Sequence, residues 1–142
     1  SQPRRSKLQL LVKDLSMPNG IAFSPDERFL YVDNSSPKKL WMRYTVKSDG
    51  SLGRGEVFCD ATSDPRDGDP DGIKVDTKGN IYSAGPGGIW IVLPTGKHLG
   101  TILVPAKAGN LAWGGVDGRT LYIAMGGSVQ TIQLKIAGLR PY

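Results

Sequence analysis

Apolar residues in this chain come in short alternating runs that stop at Gly, Pro, Asn or Asp, a pattern that predicts many brief strands and no long helix. Lys7 to Lys13 carries Leu8, Leu10, Leu11 and Val12 and reads as a strand with no partner before it. Asn19 to Ser24 is the next strand. Ser24-Pro25-Asp26-Glu27 then makes a turn, because proline presets φ and an aspartate can accept from the turn backbone. Arg28 to Asp33 returns. Lys39 to Val46 is β-branched and aromatic, and Lys47-Ser48-Asp49-Gly50 turns it into Gly55 to Cys59. Asp60 to Asp69 is a polar loop.

The same plan then recurs. Gly72 to Val75, Asn80 to Ser83, Gly88 to Leu93 and His98 to Val104 form a second set, and Leu111 to Trp113, Thr120 to Ala124 and Val129 to Leu134 a shorter third. Laying the sets over one another aligns Asn19, Asp71 and Asn110, then Phe23, Val75 and Trp113, then Tyr31, Tyr82 and Tyr122. A side-chain oxygen thus recurs just before the first strand of each set. A period of roughly forty to fifty residues with four strands per unit is the signature of a β-propeller blade, whose faces are buried only by neighbouring blades. The expected fold is all-β, with about three four-stranded blades over residues 19–60, 71–104 and 110–134. Three blades cannot close a ring. The strand at 7–13 lacks a blade while the last blade lacks its outermost strand, so the two gaps are complementary. This predicts a homodimer in which strand 7–13 completes a blade of the partner.

Composition fits this picture and removes some alternatives. With 142 residues, 39% hydrophobic and 22% charged, the chain suits one globular domain, and 19 Gly with 10 Pro suit closely spaced turns. The formal charge of +5 is concentrated at Arg4, Arg5 and Lys7, with a smaller pair at Lys38 and Lys39. Nucleic-acid binding would need a basic face with stacking aromatics, whereas the aromatics here fall inside strand patterns. No nucleic-acid partner is expected. A single cysteine, Cys59, excludes an internal disulfide and reads as a strand thiol. No apolar run approaches the roughly 18 residues of a membrane span, and no signal peptide is visible, although a chain starting at Ser1 is compatible with a cut one. The compartment is left open.

Pro18-Asn19-Gly20-Ile21-Ala22-Phe23-Ser24-Pro25-Asp26, Gly68-Asp69-Pro70-Asp71-Gly72-Ile73, Ala84-Gly85-Pro86-Gly87-Gly88-Ile89-Trp90 and Gly96-Lys97-His98-Leu99-Gly100 occur in this order. Together they closely resemble the gluconolactonase family, which includes senescence marker protein and luciferin-regenerating enzyme. The resemblance implies the C-terminal half of a six-bladed propeller, with a divalent cation at the top of the central channel and hydrolysis of sugar or related lactones. It also implies that Asn19 and Asp71 are metal ligands. The family's Glu ligand and a second, substrate-side Asn have no match in this chain. The missing oxygens would come from a second copy or from the N-terminal half of a longer chain.

A carboxylate and an amide carbonyl are hard donors suited to Ca²⁺, Mg²⁺ or Mn²⁺, with Ca²⁺ the first choice and Zn²⁺ also open. A cation so held would activate a water against a small-molecule lactone, with Asp71 as ligand and candidate catalytic base or orienter of that water. The rival expectation is a non-catalytic half-propeller that dimerises and binds a small ligand or metal in its channel. Asn110 either lines the channel or caps a loop. Trp41, Trp90 and Trp113 read as packing between blades, with Trp113 also near enough to the inner end to touch a substrate. Asp67 and Asp69 are either supporting groups or a solvated loop, and His98 is expected on an outer strand, away from the site.

Overall fold

The structure is a computed structural model, described over residues 7–140. Eleven strands form among these residues, in three antiparallel sheets connected in simple sequence order. The first sheet contains β1 (Pro18–Phe23), β2 (Phe29–Asn34), β3 (Leu40–Thr45) and β4 (Glu56–Asp60). The second contains β5 (Ile73–Val75), β6 (Ile81–Gly85), β7 (Gly88–Val92) and β8 (His98–Leu103). The third contains β9 (Ala108–Gly114), β10 (Thr120–Met125) and β11 (Ser128–Gln133). Each sheet begins with its innermost strand, and these strands lie side by side, β1 against β5 and β5 against β9. Such an arrangement is a run of propeller blades, half of a ring.

Burial explains the different sequence patterns of the blades. The middle sheet is covered on both sides, so all five residues of β6 are buried and its alternation is lost. Tyr31 and Trp41 pack against Ile73, Val75, Ile81 and Trp90 on one side of it. Tyr82, Ala84 and Ile89 pack against Leu111, Leu121 and Ile123 on the other. The aligned tyrosines diverge for the same reason. Tyr31 and Tyr82 lie between sheets, whereas Tyr122, on the uncovered face of the third sheet, stays 44% exposed.

The turns hold the far end of the channel. Asp76 accepts from the amides of Lys78 and Asn80, both at 2.9 Å, from Asn80 Nδ2 at 2.8 Å and from the Tyr82 hydroxyl at 3.1 Å. The chain returns beneath this turn, where the Thr77 amide donates to Ala137 O at 2.9 Å and the Leu139 amide to Val75 O at 3.0 Å. Gly138 there lies flat against the Trp113 ring.

The single chain leaves the segment before β1 outside its sheets. Residues 7–13 belong to no strand, and Leu8 and Leu10 stand exposed. A strand exists only against a neighbour, and apolar alternation alone cannot provide one. The third sheet has three strands, and every residue of its last strand, β11, is exposed.

Candidate functional site at the inner strand ends

The start of β1 carries an irregularity that aims Asn19. In the β1–β2 pairing, Pro18 faces Asn34 and Ile21 faces Val32, so Asn19 and Gly20 together oppose Asp33. Two residues against one is a β-bulge, which bends a strand and redirects a side chain. Asn19 Nδ2 turns toward Ser35 Oγ at 3.4 Å, and Ser35 Oγ donates to the buried Pro70 carbonyl at 2.6 Å. The amide oxygen of Asn19 is thereby left as its donor atom for a ligand. The same short chain of contacts ties the Asn19 bulge to the loop that presents Asp71.

Asp71 sits where the middle blade meets the third. The Gly72 amide donates to Gly109 O at 2.9 Å, which stitches the start of β5 to that of β9. Among the described residues the Asp71 carboxylate has no hydrogen bond or ion pair of its own. Beside it, from Gly109 outward, opens a groove of about 550 Å³ whose lining includes Lys107, Met125, Ser128 and Val129. Asn110 lies against Gly72 at this same end, with its Oδ1 accepting from the Leu111 amide at 2.9 Å. Asn19, Asp71 and Asn110 therefore belong to one end of the molecule, because adjacent inner strands begin there.

Three further polar groups frame the site. Asp69 is clamped by Lys39 Nζ at 3.1 Å and Lys107 Nζ at 2.7 Å, and the hydrogen bond from Lys107 holds its carboxyl below the usual carboxylate range. It is a rim group bridging the first and third blades. Behind Asp71, Asp33 is fully buried. Its Oδ1 accepts the Gly20 amide at 2.8 Å and its Oδ2 meets Ser83 Oγ at 3.5 Å. Burial, reinforced by the nearby Asp71 charge, pushes the Asp33 carboxyl up to about 7.

That shift predicts an unusual pH response in metal-free protein. An unfolded aspartate releases its proton near about 4, while folded Asp33 holds its proton to about 7. Between those values the unfolded state binds fewer protons, so Asp33's contribution to stability falls as pH rises through the window. Thermal melts at a series of pH values should show this loss from about pH 4 to about pH 7. Asp33→Asn should flatten that part of the profile.

The sequence comparison supplies the lineage of these motifs. Residues 1–126 match the model of the SMP-30/Gluconolactonase/LRE-like region. This chain belongs to that family. A gluconolactonase of Zymomonas mobilis is 34% identical over 139 residues, covering 93% of this chain and 39% of the relative. A gluconolactonase structure from Xanthomonas campestris superimposes with a TM-score of 0.75 at 32% identity, covering 87% of this chain and 39% of that one. Regucalcin from Agrobacterium tumefaciens, described as a calcium-binding protein, gives a TM-score of 0.72 at 32% identity, covering 82% of this chain and 40% of that one. The chain thus spans 39% to 40% of the length of these family members.

Two other residues weighed from the sequence lie elsewhere. Trp113 is at the opposite end of β9 from Asn110, edge-on to the Tyr82 ring at 5.0 Å, so the turn end of the channel holds it. His98 stacks on Trp90 at 3.6 Å with its Nε2 on Gly100 O at 2.9 Å, on the outer strand as expected. Asp33, Ser35 and Ser83 were not singled out from the sequence. For Asp33 a signal exists: it shares a strand face with buried Tyr31, and a carboxylate on a core face calls for a partner.

The donor set suits a hard cation but makes only part of a coordination shell. Asn19 offers an amide oxygen and Asp71 an unpaired carboxylate, the donors Ca²⁺ and similar ions take. Among the described residues no three His, Cys, Asp or Glu side chains gather to hold a metal. The remaining oxygens have to come from water and from outside these three blades.

Proposed function

We propose that this chain supplies half of a metal-dependent lactone hydrolase, with Asn19 and Asp71 as the ligands it contributes. The carrying observation is the convergence of Asn19 and a partner-free Asp71 carboxylate at one end of adjacent blades. Membership in a family containing gluconolactonases supports the reaction class. A bound Ca²⁺ or similar divalent ion would polarise the lactone carbonyl and lower the pKa of a water. Asp71 and Asn19 would be the residues that hold the ion, Asp71 would also orient the attacking water, and the groove beside Gly109 would admit the sugar ring. Lys39 and Lys107 hold Asp69 at the rim, and the Lys107 charge also lies close enough to act on Asp71.

The ring would be six-bladed, completed either by further blades of a longer chain or by a second copy. Two open flanks support completion. On the first sheet Ile21 and Val57 are exposed, and on the third Tyr122 and Val129 are exposed. In the self-paired form, residues 7–13 of one copy add beside β11 of the other. Light scattering then gives a particle of twice the 15.3 kDa chain, and a folded 15.3 kDa monomer rules that form out.

The reaction itself is tested with gluconolactone and added Ca²⁺. Hydrolysis should fall at least roughly a hundredfold in Asp71→Ala and roughly tenfold or more in Asn19→Ala. Unchanged turnover in both variants defeats the metal mechanism. Metal binding without turnover would favour the non-catalytic half-propeller.

A further inference from the structure

Nothing above gives Asp33 a role in ligand binding, yet its surroundings are those of a built support. A β-bulge leaves one residue without a place in the ladder, and here the Gly20 amide is the group affected. It donates instead to the Asp33 side chain at 2.8 Å, inside the protein. The other Asp33 oxygen reaches Ser83, on β6 of the neighbouring blade. Ser83 in turn pairs in register with Ile73, two residues after Asp71. Gly20 has no side chain, and its Cα is packed between the Asp71 carbonyl oxygen and the Asp33 carboxylate.

We propose that Asp33 is a positioning residue for the cation site: by capping the Asn19–Gly20 bulge and linking it to Ser83, it sets how Asn19 of one blade faces Asp71 of the next. This inference rests on the reading of Asn19 and Asp71 as metal ligands. The physical reason is the lack of any other local restraint. Asn19 has one long contact through Nδ2, at 3.4 Å, and Asp71 has none through its carboxylate. The spacing of two such donors is therefore held by their backbones, and both backbones meet at Gly20. A bulge without its amide acceptor can relax into regular pairing, and a one-residue slip turns Asn19 to the other face of the strand.

Asn at this position keeps Oδ1 for the Gly20 amide and places an amide group opposite Ser83 Oγ, which can accept from it. Ala keeps neither contact. The rescue by Asn and the failure of Ala separate a hydrogen-bonding support from a requirement for charge.

The test is calorimetric titration of the 142-residue protein with Ca²⁺, comparing wild type, Asp33→Asn, Asp33→Ala and Asp76→Asn. Asp76 is the other fully buried aspartate, placed in the turn at the far end of the channel. Its variant reports what a destabilised blade does to binding. Asp33→Ala is expected to weaken Ca²⁺ binding about ten- to hundredfold, the usual effect of losing a group that orients a ligand. Asp33→Asn should stay within about threefold of wild type, and Asp76→Asn should match wild type at temperatures where it remains folded. Should Asp33→Ala not fold, Ser83→Ala takes its place and is expected to weaken binding measurably. Wild-type affinity in Asp33→Ala, or in Ser83→Ala when it replaces Asp33→Ala, overturns the inference. Equal weakening in Asp76→Asn also overturns it. No Ca²⁺ binding by wild type instead removes the reading that Asn19 and Asp71, with water and a second copy of this chain, complete the site, and the inference with it.

Discussion

Trp41→Ala is expected to cost about 3 to 5 kcal/mol of folding stability, the range for truncating a large buried aromatic. Trp41 is fully buried at the centre of the contact between the first two blades, with its ring stacked on Trp90 at 5.0 Å. The ring also lies over Gly85, where an added Cβ would stand 3.2 Å from it. The indole fills a gap that the two sheets cannot close by themselves, since each is held by its own ladder. Its removal therefore leaves a cavity as well as lost apolar contact. The Nε1 group has no hydrogen-bond partner, so the indole nitrogen adds nothing to its hold. Trp41→Phe should accordingly lose much less, because it removes an unsatisfied donor along with some volume. Denaturant melts of the two variants decide this. Equal losses would mean that the indole nitrogen matters after all.

Gly20→Ala is expected to be the most damaging change at the site for its size. A methyl there meets the Asp71 carbonyl oxygen, the Asp33 carboxylate and, at 2.9 Å, Ile73 Cγ2. Two of these are a backbone atom and a buried strand residue, so neither can swing aside as a flexible surface chain would. Overpacking of this kind typically costs about 1 to 3 kcal/mol. The sharper effect falls on ligand geometry, because the new methyl pushes apart the two segments that carry Asn19 and Asp71. Ca²⁺ affinity should drop by roughly ten- to hundredfold, as for a lost ligand-orienting contact. Gly100→Ala is the control, since a Cβ there meets nothing within 4 Å. Comparable loss of binding in both variants would show that the packing at Gly20 is not special.

Much of this was legible in the order of residues, and the reason differs from element to element. The strands were readable because side chains alternate across a pleat and because turns demand particular residues. Ser24-Pro25-Asp26 and Asp49-Gly50 act as turn residues in the structure for the reasons their chemistry suggests. That Asn19 and Asp71 lie at one end was readable because a repeat places equivalent residues at equivalent ends of successive inner strands. For residues 7–13 an alternating apolar run describes a strand's faces and says nothing about who pairs with its edge, and in the single chain they join no sheet. Trp113 packs between blades as its alternating apolar strand suggested, and its ring lies against Tyr82 rather than beside Asn110.

The sequence by itself determined the all-β character, the blade repeat and most strand limits, because these follow from local periodicity and turn chemistry. Only the tertiary structure decided that Asn19 sits in a bulge, that Asp33 and Ser83 stand behind it, and that among the described residues the Asp71 carboxylate has no hydrogen bond or ion pair. Those properties depend on which strands lie side by side and on how closely Gly20 lets them approach. Contacts between residues such as Asp33 and Ser83, fifty positions apart, are set by blade packing and leave no periodic trace in the chain.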